Sequence, residues 1–138
     1  MLFRSYWMER RFAPEVVAAY DYALNELKET SGVQMFRLVG YSGGGIIATL
    51  LAARRNDVVS LVTVAAPLAV SEWVSWHGLS PLIGSLDTAN IDTNIRLPPS
   101  VHLVGDDDSV VPRPIIEHFV IRHGGRIIAV PEIGRAHV

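Results

Sequence analysis

This sequence predicts an α/β fold in which a mostly parallel sheet of about four strands is flanked by helices. Three observations carry that expectation. Short β-branched and apolar runs alternate with longer stretches at helical spacing, in the order helix, strand, helix, strand, loop, strand, helix, strand. Residues 58–64 are almost continuous in Val and Leu, as expected when both faces of a strand in a parallel sheet are buried. In residues 36–55 a short apolar strand passes into an Ala/Leu-rich helix through Gly-Tyr-Ser-Gly-Gly-Gly.

Taken in order, residues 14–30 read as an amphipathic helix. Pro14 suits the first turn, Glu15 complements the positive end of the helix dipole, and Gly32 stands where a C-terminal cap belongs. Val16, Val17, Tyr20, Ala23, Leu24 and Leu27 recur on one stripe, which should be buried. A strand follows over residues 36–39. The next helix, residues 46–55, is apolar nearly all round until Arg54 and Arg55, so it should be heavily covered. Residues 68–100 lose this regularity and are punctuated by Pro81, Gly84, Pro98 and Pro99. A stretch of that length without regular structure reads as a lid or binding loop. Trp73 and Trp76 within it either line a pocket for the substrate or anchor the loop. Residues 101–104 form a strand, residues 114–122 a helix, and residues 126–130 the last strand.

The turn at residues 40–44 has the pattern G-x-S-x-G, with Gly40, Ser42 and Gly44. A strand that runs straight into a helix must turn sharply, and residues without a Cβ on either side of the serine let the two backbones approach. The serine hydroxyl is then held out at the carboxyl end of the strand, which suits a nucleophile. A plainer alternative is a Gly-rich turn whose serine caps the helix. Gly43-Gly44-Gly45-Ile46-Ile47-Ala48 also fits a dinucleotide-binding pattern. That chemistry needs an acidic residue at the end of the next strand, where Ala65-Ala66-Pro67 stands instead.

At 138 residues, 49% hydrophobic and 19% charged, the chain is at most one globular domain. A net charge of −2 without a basic cluster gives no footprint for nucleic acid or an anionic membrane. No apolar run is long enough to span a bilayer. The absence of cysteine excludes disulfides and thiolate metal sites. The histidines show no metal-ligand spacing, and three consecutive carboxylates, Asp106 to Asp108, cannot all face one ion.

After the third strand, Gly105, Asp108, Val111 and Pro112 form G-x-x-D-x-x-V-P. With the G-x-S-x-G turn upstream, the chain resembles the C-terminal half of an α/β-hydrolase. The resemblance implies a serine hydrolase that needs no cofactor or metal and acts on a small-molecule carboxylic ester or related acyl bond. It makes Ser42 the nucleophile and Asp108 the triad acid, and gives the Gly43 N–H to the oxyanion hole. The chain order of nucleophile, acid and histidine agrees. The family's histidine follows the last strand, which points to His137. Acyltransferase, thioesterase or peptidase chemistry on the same fold, or a non-catalytic binding module, are the alternatives.

Both ends carry a further expectation. Ile133 to Val138 reads IGRAHV, the translation of ATC GGA AGA GCA CAC GTC, which opens a common sequencing adapter; Leu2 to Ser5, LFRS, translates the complementary stem. On that reading residues 6–132 are the genuine part of one partial hydrolase domain, with 68–100 as its lid. His137 is then an accident of read-through, and a histidine belongs near Arg135. The family's N-terminal half, with its second oxyanion donor, is missing from this reading. The chain alone is therefore expected to be inactive, and the strand at Phe36 to have a bare edge. A soluble cytoplasmic protein is the favoured setting.

Overall fold

The structure, a computed structural model, describes residues 4–133. Its regular elements are α1 (Pro14–Ser31), β1 (Phe36–Tyr41), α2 (Gly43–Arg54), β2 (Val58–Val64), α3 (Val70–Trp76), β3 (Ser100–Val104), α4 (Arg113–His123) and β4 (Arg126–Ala129). The four strands form one parallel sheet in the order β1-β2-β3-β4, which puts β1 at an edge. Both the α/β class and the strand count agree with the sequence.

Register divides the sheet into two faces. Gly40, Thr63, His102 and Ile127 lie in one row across the strands, and Tyr41, Val64, Leu103 and Ile128 in the next. Side chains of successive rows point to opposite faces. The Thr63–His102 face is covered by helices. Gly45 of α2 meets Thr63, and Phe119 of α4 packs edge-on against the His102 ring at 5.6 Å. Beneath α2 and α4 the core gathers Ile46, Leu50, Leu51, Val104, Ile116 and Phe119. No described helix covers the other face. There Val39 is 72% and Tyr41 55% exposed, while Val62, Val64 and Leu103 are half-buried. The expectation that helices would bury both faces of β2 is therefore corrected. α2 and α4, which join β1 to β2 and β3 to β4, lie on one side.

α1 starts on Pro14 and is closed by Gly32 in the left-handed conformation, as its sequence indicates. Its apolar stripe is buried less than expected. Val17 is buried and Val16 and Leu24 are half-buried, but Tyr20 is 54% and Leu27 49% exposed. The cause is that α1 packs chiefly on α2. A groove of about 270 Å³, lined by Tyr20, Leu24, Val39, Tyr41 and Ile47, separates it from β1. At the amino ends of the strands Arg55 ties three elements together. Its guanidinium donates to Asp57 at 2.8 and 2.7 Å and to Asp21 at 2.6 Å, and Lys28 donates to Asp57 at 3.0 Å. Hydrogen bonding to Arg55 holds the Asp57 carboxyl well below the usual carboxylate range.

Residues 68–100 depart most from the sequence reading. They contain α3 and a 3₁₀ turn at Thr88–Asn90, and their ends are knitted together. The Asp87 carboxylate accepts the Val70 and Ser71 amides at 2.8 and 2.9 Å, and Thr88 Oγ1 donates to the Leu68 carbonyl. Prolines at the margins hid a short helix whose hydrogen-bond partners are distant in sequence.

Candidate active site

β1 ends at Tyr41 and α2 begins at Gly43, so a single residue, Ser42, makes the whole turn. It does so at φ 50°, ψ −123°, a region that costs a non-glycine residue about 1–3 kcal/mol. Ser42 N–H donates to the Val64 carbonyl at 2.8 Å, which fastens the turn to β2. The Ser42 side chain makes no capping bond to α2, so the simple-cap alternative finds no support in its geometry. Gly43 opens α2, and its N–H is among the first-turn amides that have no acceptor within a helix.

The tight packing around the serine is shared differently from the sequence expectation. A Cβ on Gly40 would lie 2.3 Å from the Gly44 carbonyl oxygen, so Gly40 is required by close approach. A Cβ on Gly44 would meet nothing within 4 Å, whereas one on Gly45 would lie 2.5 Å from Ala66 Cβ. The close approach behind the serine thus falls on Gly45, because the first turn of α2 points that residue at the β2–α3 connection.

Asp108 lies in the turn after β3 and is buried, 5% exposed. Its Oδ1 accepts the Val110 and Val111 amides at 2.9 and 3.0 Å, which fixes the carboxylate from its own turn. Gly105 is explained by the chain that leaves β4: a Cβ there would lie 2.0 Å from the Ile133 carbonyl oxygen. The segment after the last strand therefore passes directly over the acid turn. Ser42 and Asp108 both follow the carboxyl ends of parallel strands, β1 and β3, at the same end of the sheet. Two strand spacings amount to about 10 Å. His137 lies outside the described residues, as do Leu2 and the last five positions.

The other expected positions divide. Trp73 is half-buried against the core, and its indole Nε1–H donates to the Val110 carbonyl at 2.6 Å. Trp76, on the same helix, is 56% exposed. His102 is fully buried; its Nδ1 is 2.8 Å from Thr63 Oγ1, and burial pushes the imidazole down to about 4. Sequence reasoning missed an apolar hollow of about 450 Å³ beside Gly43, lined by Tyr6, Trp7, Phe12, Val16 and Ile47. The Phe12 ring would sit 3.3 Å from a Cβ on Gly43. Phe12 lies just outside a predicted helix, and no local pattern ties it to residues 43–47. Among the described residues no group of three or more His, Cys, Asp or Glu could hold a metal ion, and no helix is long and apolar enough to cross a membrane.

No family model and no curated protein matches the sequence. Solved structures do match the fold. An esterase from Pyrococcus furiosus superposes with a TM-score of 0.69 at 13% identity, over 86% of this chain and 53% of its own. A hydrolase from Pseudomonas aeruginosa gives 0.62 at 18% identity, over 83% and 63%. A putative dienelactone hydrolase from Klebsiella pneumoniae gives 0.66 at 20% identity, over 85% and 48%. The chain thus has an α/β-hydrolase-like fold and spans about half the length of the P. furiosus esterase.

Proposed function

We propose that this chain carries the nucleophile and the acid of a serine hydrolase acting on a carboxylic ester or related acyl bond. The observation that supports this most is the backbone of Ser42, a non-glycine residue held at φ 50° between a strand and a helix, with Asp108 buried at the same carboxyl end of the sheet. Backbone strain of that kind recurs at functional sites. The fold neighbours named as esterases and hydrolases point the same way.

On this reading Ser42 Oγ attacks the acyl carbonyl, and its proton passes to a histidine that Asp108 orients. The tetrahedral oxyanion turns toward the Gly43 N–H at the positive end of α2. Collapse expels the alcohol, which takes the proton from the histidine, and leaves an acyl-Ser42 ester that water hydrolyses. The histidine belongs after β4, close to Gly105. His137 is the sequence's candidate. The apolar hollow beside Gly43 suits the acyl chain.

A fluorophosphonate probe tests the reading in the full-length protein. The expected result is labelling that Ser42→Ala abolishes and Asp108→Ala slows. Labelling equal in Ser42→Ala and the parent would instead favour a binding module on the same fold. Turnover of a p-nitrophenyl ester by the 138-residue chain alone, lost in Ser42→Ala, would show that the chain already holds a complete site.

A further inference from the structure

The acid turn is held from outside by α3. The Val110 carbonyl accepts two side-chain hydrogen bonds, from Trp73 Nε1–H and from His77 Nε2, each at 2.6 Å. A carbonyl oxygen has no proton to give, so His77 must carry its proton on Nε2. The two rings, one on the helix and the other at the residue that ends it, are four positions apart and meet edge to face, with centroids 5.4 Å apart. The Val110 carbonyl and the Val111 N–H belong to one peptide unit. The same Val111 N–H donates to Asp108 Oδ1 at 3.0 Å. Two donors on the oxygen of an amide polarise it and strengthen the bond its N–H makes.

We propose that α3 is a brace for the triad acid, with Trp73 and His77 as positioning residues that aim the Val110–Val111 peptide at the Asp108 carboxylate. This rests on Asp108 being the acid. The helix is suited to the role because it is itself anchored at separate points. Asp87 accepts the Val70 and Ser71 amides at its start, and Glu72 Oε1 meets His118 Nδ1 of α4 at 2.5 Å. Buried Val70 and Val74 hold its inner side in the core. The brace acts through Asp108 and has no contact of its own with reacting atoms. A change in it should therefore appear in kcat and leave KM alone.

Amide hydrogen exchange and ester hydrolysis by the full-length protein test this together. In Trp73→Phe/His77→Leu, exchange at Val111 should speed up about tenfold and kcat should fall about tenfold at unchanged KM. The Ala65 amide, bonded to the Leu103 carbonyl in the sheet, should exchange as before. His77→Gln, whose side-chain amide can still donate to Val110, should restore most of what His77→Leu removes. If the double variant loosens the Ala65 amide as well, the exposed His77 alone decides, through His77→Leu against His77→Gln. Unchanged exchange at Val111, faster exchange with kcat unaltered, or His77→Gln no better than His77→Leu would each overturn the brace. An Asp108→Ala protein as active as its parent would remove the acid assignment instead, while the exchange result for Trp73→Phe/His77→Leu would still stand or fall by itself.

Discussion

The two faces of the sheet have nearly the same kind of sequence and very different surroundings. On one, Leu61, Thr63, His102 and Val104 are buried under α2 and α4. On the other, Val39, Val62, Val64, Leu103 and Ile128 lie in rows with no described helix over them. Apolar residues alone do not tell the faces apart. What separates them is that both covering helices cross on the same side. Thr63 and His102, polar residues of the covered face, are each other's hydrogen-bond partners, whereas the bare face carries Arg37, Ser60 and Arg126. Parallel sheets ordinarily have both faces covered, so the bare face has the character of an interior surface.

The sharpest break between the faces should come from truncating a side chain on each. Phe119 is 1% exposed and packs on both His102 and His123. Phe119→Ala should cost about 3–5 kcal/mol in urea unfolding. Val39→Ala on the bare face should stay within about 0.5 kcal/mol. Comparable losses at the two positions would mean that the bare face is covered in solution.

Acid should act on the covered face through His102. The unfolded chain protonates this imidazole near its ordinary value of 6.5, whereas the folded chain resists until about 4. Between those pH values the unfolded state binds the extra proton, so stability falls as pH falls and the loss is complete below about 4. A shift of this size is worth about 3 kcal/mol. Thr63→Val/His102→Leu removes both polar partners and should flatten the dependence across that window. An unchanged slope would show that some other group titrates there.

Much of this arrangement was legible because it is local. The turn at Ser42, the cap at Gly32 and the strand runs depend on neighbours in sequence. The buried turn at Asp108 was legible from its spacing to Gly105, Val111 and Pro112. What could not be read depends on distant partners. Arg55 looked like the polar end of an apolar helix, yet it bonds Asp21 and Asp57 and is among the best-buried charges described. Trp73 could have faced a substrate or the protein until its partner at Val110, 37 positions away, was known. The division of labour among the glycines was hidden for the same reason, since Gly45 is set by Ala66 and not by the motif.

That division gives a smaller test within the covered side. Gly45→Ala must push the β2–α3 connection aside and should cost about 1–3 kcal/mol. Gly44→Ala enters open space in the first turn of a helix and should be neutral or stabilising by up to about 1 kcal/mol. If the two variants unfold alike, the close approach seen at Gly45 does not persist in solution.

The weakest effect on stability should accompany a large effect on association. β1 presents an open edge beside Val39 and Tyr41, and an exposed apolar edge strand recruits other chains. Val39→Lys places a charge in that row without disturbing the helix-covered face, so unfolding should move by no more than about 0.5 kcal/mol. Sedimentation should then show the parent chain associating as concentration rises and Val39→Lys remaining monomeric. A parent that stays monomeric at the same concentrations would mean that the bare face is not adhesive. Association unchanged by the lysine would move the contact away from β1, to the exposed apolar residues of α1.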